Sequence, residues 1–399
     1  MYQKDFPIYT THPNLVFLDS ASSAQKPAKV IEAMSDFFKT SYANIHRGAY
    51  DLSMESSLLY DRAKKAVAQK LHADSESEIV FTYNATYAFN LIARGFVKSG
   101  FLKKGDIVLI SKVEHHANVV PWQILASEYG IVIEWVNLHE DGTIDYMDLA
   151  SKLPHAKVLS LTGASNVTGE VLDLDRVKEI FDSLSQKPLF ILDGSQRFPH
   201  METDVKKYGI DFFVGTGHKV MSDTGIGFFY GRKDLLKKLN PAFCGGGAIN
   251  GVTIEGYEPA GLPFRHEPGT PHIAGAVSLL AALEYIDSIG GFERVEEYER
   301  ELTEYMLEQV KKLPPSVKLL GSHEGENRLG VFSFTFEHHH PNDVAEILAD
   351  AGICVRSGHH CTEPFHKTMG IGASMRASLY IYNTKEDIDK LVSLLKKIV

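Results

Sequence analysis

The feature that most restricts the fold of this chain is an alternation. Between residues 78 and 230, short apolar runs recur with amphipathic stretches between them. The runs predict strands over 78–82, 106–110, 132–136, 158–161, 189–192, 212–214 and 227–230. The stretches predict helices over 87–97, 117–129 and 174–184. Strands separated by helices return to a sheet side by side in the same direction and are buried on both faces. The expectation is an α/β domain with a mostly parallel seven-stranded sheet between helices.

Near Pro271 the texture changes. Helices are predicted over 274–288 and 292–313, strands over 317–320 and 330–336, and a helix over 341–351 with Pro341 in its first turn. A strand over 353–356 and a helix over 385–398 close the chain. This reads as a smaller α+β C-terminal domain. Residues 257–271 hold four prolines and two glycines and mark the junction. The expected organisation is an N-terminal segment, 1–20, packing with the small domain, a large domain over 21–270 and a small domain over 271–399. At 399 residues the chain can bury two cores.

Composition excludes several function classes. Net charge is −10, from 41 Lys and Arg against 51 Asp and Glu. Without a run of like charges, this argues against nucleic acid or an anionic membrane as main partner. Cys244, Cys354 and Cys361 are too few for a disulfide framework and form no C-x-x-C, which fits a reducing compartment. The first residues lack a basic region followed by an apolar stretch, and no run approaches the ~18 apolar residues of a membrane span. A cytoplasmic location is expected.

Five short segments carry candidate chemistry. In Phe213-Val-Gly-Thr-Gly-His-Lys219, a strand runs into a turn bearing a lysine. A shielded lysine forms Schiff bases, and Thr216 and His218 could hold a phosphate. The plain reading is an exposed lysine in a polar turn. Asp193 ends the apolar run Leu189-Phe-Ile-Leu, where ligands of open α/β sheets bind. An acid there can hold a pyridine nitrogen protonated, with Gln196 near enough to reach a ring hydroxyl; a helix cap explains Asp193 equally well. Asn84-Ala85-Thr86 reads as a helix start with free N–H groups for an anion, or as a simple cap. In Glu114-His115-His116, a flat imidazole at a strand end can cover a flat ring or move protons. In Arg356-Ser-Gly-His359-His360-Cys361, a thiol beside two imidazoles is a candidate nucleophile. Arg376 could bind a carboxylate. A zinc site on His338-His339-His340 with His359-His360 is an alternative, but the triple histidine reads as a loop entering a helix, and ligation at His115-His116 would need more ligands at workable spacing, so no metal is expected.

Taken together and in this order, the segments resemble group II, Suf-type, cysteine desulfurases, within the class V aminotransferases of the fold type I pyridoxal-phosphate (PLP) transferase fold. The likeness runs nearly end to end. It includes Phe17-Leu-Asp-Ser-Ala, Asn44-Ile-His-Arg-Gly48, Glu114-His-His-Ala-Asn, Ser165-Asn-Val167, Glu267-Pro-Gly-Thr-Pro271, Arg356–Pro364 and Arg376-Ala-Ser-Leu. The resemblance implies pyridoxal 5'-phosphate bound by Lys219 as Schiff base. It puts Asp193 on the pyridinium partner, His115 on the covering imidazole, and Gln196 and Asn166 on ring-side donors. Ala85, Thr86, Thr216 and His218 fall on the phosphate cradle, with Thr270 reaching the phosphate of a neighbouring subunit in a homodimer. Arg376, Arg356, Asn166 and His46 are implied to bind substrate. Cys361 would take sulfur from L-cysteine as a persulfide, releasing alanine and passing sulfur to a Suf-pathway acceptor for iron–sulfur cluster assembly. L-Selenocysteine is a possible second substrate.

The chain departs from the group II pattern at several places. Asn84-Ala85-Thr86 stands for Gly-Thr-Thr, Ser22 for alanine, Val220-Met-Ser-Asp223 for Leu-Tyr-Gly-Pro, and Arg197-Phe198 is unusual after Gln196. A selenocysteine lyase, an epimerase or a kynureninase-like hydrolase would share Lys219 and Asp193 without needing Cys361. A non-catalytic scaffold would not need the lysine or the aspartate.

Overall fold

The computed structural model describes residues 2–46 and 48–399; Arg47, within the quoted Asn44–Gly48 stretch, lies outside them. The chain enters through α1 (Pro7–Thr11), β1 (Val16–Phe17), α2 (Ala28–Thr40) and α3 (Asp51–Lys70). Seven sheet strands follow: β2 (Ile79–Thr82), β3 (Ile107–Ser111), β4 (Val132–Val136), β5 (Val158–Thr162), β6 (Leu189–Asp193), β7 (Phe212–Thr216) and β8 (Gly227–Gly231). Among them run α4 (Ala85–Lys98), α5 (Val120–Tyr129), α6 (Tyr146–Lys152) and α7 (Leu174–Asp182), with α8 (Lys233–Lys238) after β8. The sheet order is β2-β8-β7-β6-β5-β3-β4. Only β8 runs against its neighbours; the other pairings are parallel.

The strands read as continuous apolar runs because helices cover both faces. Leu109, Leu159, Leu192 and Phe213 join one core. The residues beside them, Val108, Ile110, Val158, Ile191, Phe212 and Val214, join the core on the other face with Phe89, Ile92 and Trp122. This is the period-two alternation of a pleated strand. The helix expected over 117–129 starts later. A single tight turn spans His116–Asn118, and α5 begins beside Pro121, whose missing N–H costs nothing in a first turn. It stops at Gly130, with φ +71°.

Past β8 come the hairpin β9 (Ile249–Val252) and β10 (Tyr257–Pro259), then α9 (Ile273–Ser288) and α10 (Gly291–Val310). The last part holds β11 (Val317–Leu319), β12 (Val331–Phe336), α11 (Pro341–Asp350), β13 (Ile353–Cys354), β14 (Arg356–Gly358), α12 (Glu363–Thr368), β15 (Ser374–Ser378) and α13 (Lys385–Ile398). Here a four-stranded sheet, β11-β12-β15-β14, forms a separate core with α10, α11 and α13. β1 pairs parallel with β13, and Val16 and Leu18 sit in that core.

Two sequence expectations shift. The strand expected over 353–356 is split at Val355: β13 pairs with β1, and β14 pairs with β15. The boundary expected at 270/271 does not coincide with the change of core. α9 is buried along nearly its whole length and packs on α2 and α3. Phe292 and Val295 of α10 still belong to the first core, whereas Leu302 and Met306 belong to the last. The two units therefore meet within α10 and not at the proline-rich segment.

Candidate active site

The carboxyl ends of β3, β5, β6 and β7 open on one cavity of about 350 Å³. Its position follows from the topology: these strands run parallel, so their carboxyl ends open on one side, where ligands of open α/β sheets bind. β6 delivers Asp193, and β7 runs into the turn Gly217–Lys219. The turn after β3 delivers His115, and α4 starts at Asn84. β14 and β15 of the second unit contribute Arg356 and Arg376, and the loop between β14 and α12 contributes Cys361.

Of the residues selected from the sequence, all line this cavity except His46 and Thr270. His46 instead packs its ring on Phe264, centroids 4.6 Å apart, and its N–H donates to Ser57 Oγ at 2.9 Å. The expected substrate contact for His46 is thus absent from the cavity of its own chain. Thr270 is exposed, in the segment that follows Glu267.

Charge in the cavity is arranged by burial. Asp193 is 3% exposed and accepts the Ser195 N–H at 2.9 Å. Burial raises its pKa, and the Lys219 charge pulls it down. Burial lowers the Lys219 amine to about 8, with Asp193 opposing the shift. Burial, then the Lys219 charge, lowers His115 to about 3, so its ring is neutral. Its Nδ1 accepts the Ala117 N–H at 3.1 Å, which puts the ring proton on Nε2. Behind it, Glu114 accepts from Ser111 Oγ at 2.5 Å, Asn118 Nδ2 at 2.7 Å and the Thr162 N–H at 2.9 Å. That lattice ties the β3 and β5 ends together.

The residues fit a phosphorylated pyridine. At one end, Asn84 caps α4 by accepting the Tyr87 N–H at 2.9 Å, leaving first-turn N–H groups at Ala85 and Thr86 to face an anion. Gly227 permits this turn: a Cβ there would stand 2.7 Å from Asn84 Cα. Beside it, Thr216 Oγ1 is buried without a partner. At the other end, Gln196 donates to the Ala21 carbonyl at 2.7 Å while its Oε1 has no partner. Buried polar groups left open in this way are what a polar ligand completes.

The substrate end carries the two arginines. Arg376 is fully buried; Nη1 donates to the Asn166 carbonyl at 3.0 Å, Nη2 meets Asp19 Oδ1 at 3.1 Å, and Nε is open. Arg356 Nε meets Asp19 Oδ2 at 3.3 Å. Asp19 is a residue that reasoning from residue chemistry passed over, though it stands in the quoted Phe17-Leu-Asp-Ser-Ala stretch. Its backbone bridges to Ser378 of β15, which brings the N-terminal segment to the site.

The thiol is held out by its backbone. His360 and Cys361 have φ of +52° and +57°, the left-handed region that non-glycine residues rarely occupy. The loop is pinned by Asn166 Nδ2 donating to the His360 carbonyl at 2.8 Å and the His116 N–H donating to the Cys361 carbonyl at 2.8 Å. Cys361 is exposed and lines the cavity. Of the two imidazoles expected to flank the thiol, His359 is turned to Glu363, and His360 lines the cavity with only its Nδ1 unpartnered. His360 Nε2 is on Ser374, at 3.1 Å from its Oγ, and His359 Nδ1 lies 3.5 Å from Glu363. Cys354 is half-buried in β13.

Comparison with known proteins agrees with this geometry. The profile of the family Aminotransferase class-V matches residues 16–391. A probable cysteine desulfurase of Halalkalibacterium halodurans is 38% identical over 99% of this chain and 96% of its own. Among solved structures, the apo cysteine desulfurase of Thermococcus onnurineus is 34% identical with a TM-score of 0.93, covering 100% of this chain and 97% of its own. A cysteine desulfurase of Escherichia coli is 32% identical with a TM-score of 0.89, covering 99% and 97%.

Proposed function

The chain belongs to the class V aminotransferase family and is a PLP enzyme of the cysteine desulfurase kind; from that premise we propose that it moves sulfur from L-cysteine to Cys361, and from there to a Suf-pathway acceptor feeding iron–sulfur cluster assembly. The observation that carries this reading is the convergence of Lys219, Asp193, Arg376 and Cys361 on one cavity.

Ala85, Thr86, Thr216 and His218 would hold the cofactor phosphate, Asp193 its ring nitrogen, Gln196 and Asn166 its ring edge, and His115 its ring face. When bound, PLP supplies a sink for the electrons released at the substrate Cα. The chain's own groups do the rest. Arg376, with Arg356 beside it, fixes the substrate carboxylate. The Lys219 amine, close to half free base near pH 8, takes the Cα proton and returns one. Neutral His115 moves a proton through Nε2. Cys361 Sγ bonds to the substrate sulfur as the Cβ–S bond breaks. L-Cysteine and the enzyme thiol thereby become alanine and an enzyme persulfide, with no outside oxidant. A thiol on the acceptor then takes the outer sulfur.

In this reading the enzyme is a homodimer, with Thr270 completing the phosphate site of the second copy. The test is product analysis of the PLP-loaded protein with L-cysteine. With dithiothreitol added to reduce the persulfide, alanine and sulfide are expected in equal amounts, and a Suf-type acceptor is expected to accelerate alanine release. Alanine without mobilised sulfur, or no alanine at all, contradicts the assignment.

A further inference from the structure

A second cavity, of about 380 Å³, lies where the two units meet. It is at the small end of the range for small-molecule pockets. Asp175 of α7, Arg197 and His200 after β6, Glu296 and Glu299 of α10, and Arg328 before β12 form its wall. No step of the cysteine reaction uses them.

Three side chains in this wall are incomplete: Arg197, Glu299 and Arg328, whose Nε has no partner. Arg197 is 9% exposed, and among the described residues no carboxylate pairs with it. Its Nε donates to Thr203 Oγ1 at 3.0 Å, and its Nη1 has no partner. Glu299 is 5% exposed; its Oε2 meets His200 Nδ1 at 2.7 Å, and its Oε1 has no partner. A buried cation without a counter-ion and a buried acceptor without a donor are both costly, and a ligand supplying the missing partners relieves both.

We propose that this cavity binds a small α-amino acid as its zwitterion, carboxylate toward Arg197 and ammonium toward Glu296 and Glu299. The mixed wall selects the class. A simple anion would meet the carboxylates of Asp175, Glu296 and Glu299; a simple cation would meet the guanidiniums of Arg197 and Arg328. A molecule with both charges a few bonds apart suits both sides. The site also has a path to the first cavity. The Arg197 stem packs against Gly163, where a Cβ would stand 3.1 Å from Arg197 Cδ and 3.2 Å from the Asp193 carbonyl oxygen. An occupant held by Arg197 therefore bears on the strand end that carries Asp193.

Equilibrium dialysis of isotopically labelled L-alanine against the PLP-loaded protein tests this. The proposal expects a class of bound alanine that Arg376→Ala leaves in place and that Arg197→Met and Glu299→Gln each weaken about tenfold or more. Alanine binding unchanged in both Arg197→Met and Glu299→Gln overturns it. So does the lack of any bound alanine in Arg376→Ala. Should Arg197→Met fail to fold, Glu299→Gln, which is nearly the same shape, decides alone. An Arg197-dependent class without an Arg376-dependent one supports this site and counts against the cysteine-site reading, so the two failures are distinguishable.

Discussion

Lys219 is the residue at which burial and chemistry meet most directly. Its ordinary pKa is 10.5, and in the folded chain it is about 8, because burial disfavours the ammonium more than Asp193 favours it. Between those values the unfolded chain holds more protons than the folded one, so this residue's contribution to stability rises with pH across that window. Below about pH 8 the folded protein carries the cost of a buried ammonium. Lys219→Met has no such cost. Without cofactor, the Met variant is expected to be the more stable near neutral pH. Its advantage should shrink between about pH 8 and pH 10.5, read by urea unfolding. A gap that stays constant across the window contradicts the burial argument. Burial acts on His115 in the same direction. Its ring is held neutral throughout the physiological range, so its usefulness lies in one fixed N–H.

Among elements, the segment leading to Thr270 is anchored in an unusual way. Glu267 accepts from Lys64 Nζ at 2.6 Å, the Phe81 N–H at 2.6 Å and Tyr60 OH at 2.9 Å. The two ion-pair side chains are 2% and 6% exposed, and the ammonium lies 5.0 Å from the Phe264 ring and 5.1 Å from the Tyr60 ring. Removing one member of such a pair strands the other and costs about 3–5 kcal/mol, whereas removing both costs less than the sum. A double-mutant cycle on Lys64→Met and Glu267→Gln, read by denaturant unfolding, should therefore show strong coupling. Additive effects would mean the pair is not what holds the segment. The central strands are legible in the sequence because helices on both sides of the sheet leave uninterrupted apolar runs, and the candidate site residues are legible because those strands end in them. Helix α3 is not legible, because its apolar residues point both ways: Tyr60 and Val67 are buried, but Leu52, Met54 and Leu58 are exposed. Nor did residue chemistry single out Asp19, since nothing near it in sequence shows that it faces Arg376 of β15.

At the scale of the whole molecule, the Cys361 thiol proposed to take the sulfur and the Lys219 amine come from different units. The cavity exists because β1 and α10 tie those units together. Several large apolar side chains remain uncovered: Phe38 of α2, Met54 and Leu58 of α3, and Val252, Ile254 and Tyr257 on the β9–β10 hairpin are all more than half exposed. Apolar surface left exposed where it is contiguous marks association surfaces. Sedimentation equilibrium is expected to give twice the chain mass, and Ile254→Asp with Met54→Asp to shift the protein toward monomer. A wild-type monomer at micromolar concentration would remove Thr270 from the phosphate site. The central claim, that Cys361 receives the sulfur, is tested most directly by mapping it. PLP-loaded protein is given L-cysteine without an acceptor, alkylated, digested and read by tandem mass spectrometry. One extra sulfur on the Cys361 peptide, with none at Cys244 or Cys354, is the predicted result. Alanine release with Cys361 unmodified, or the sulfur on either other cysteine, would contradict it.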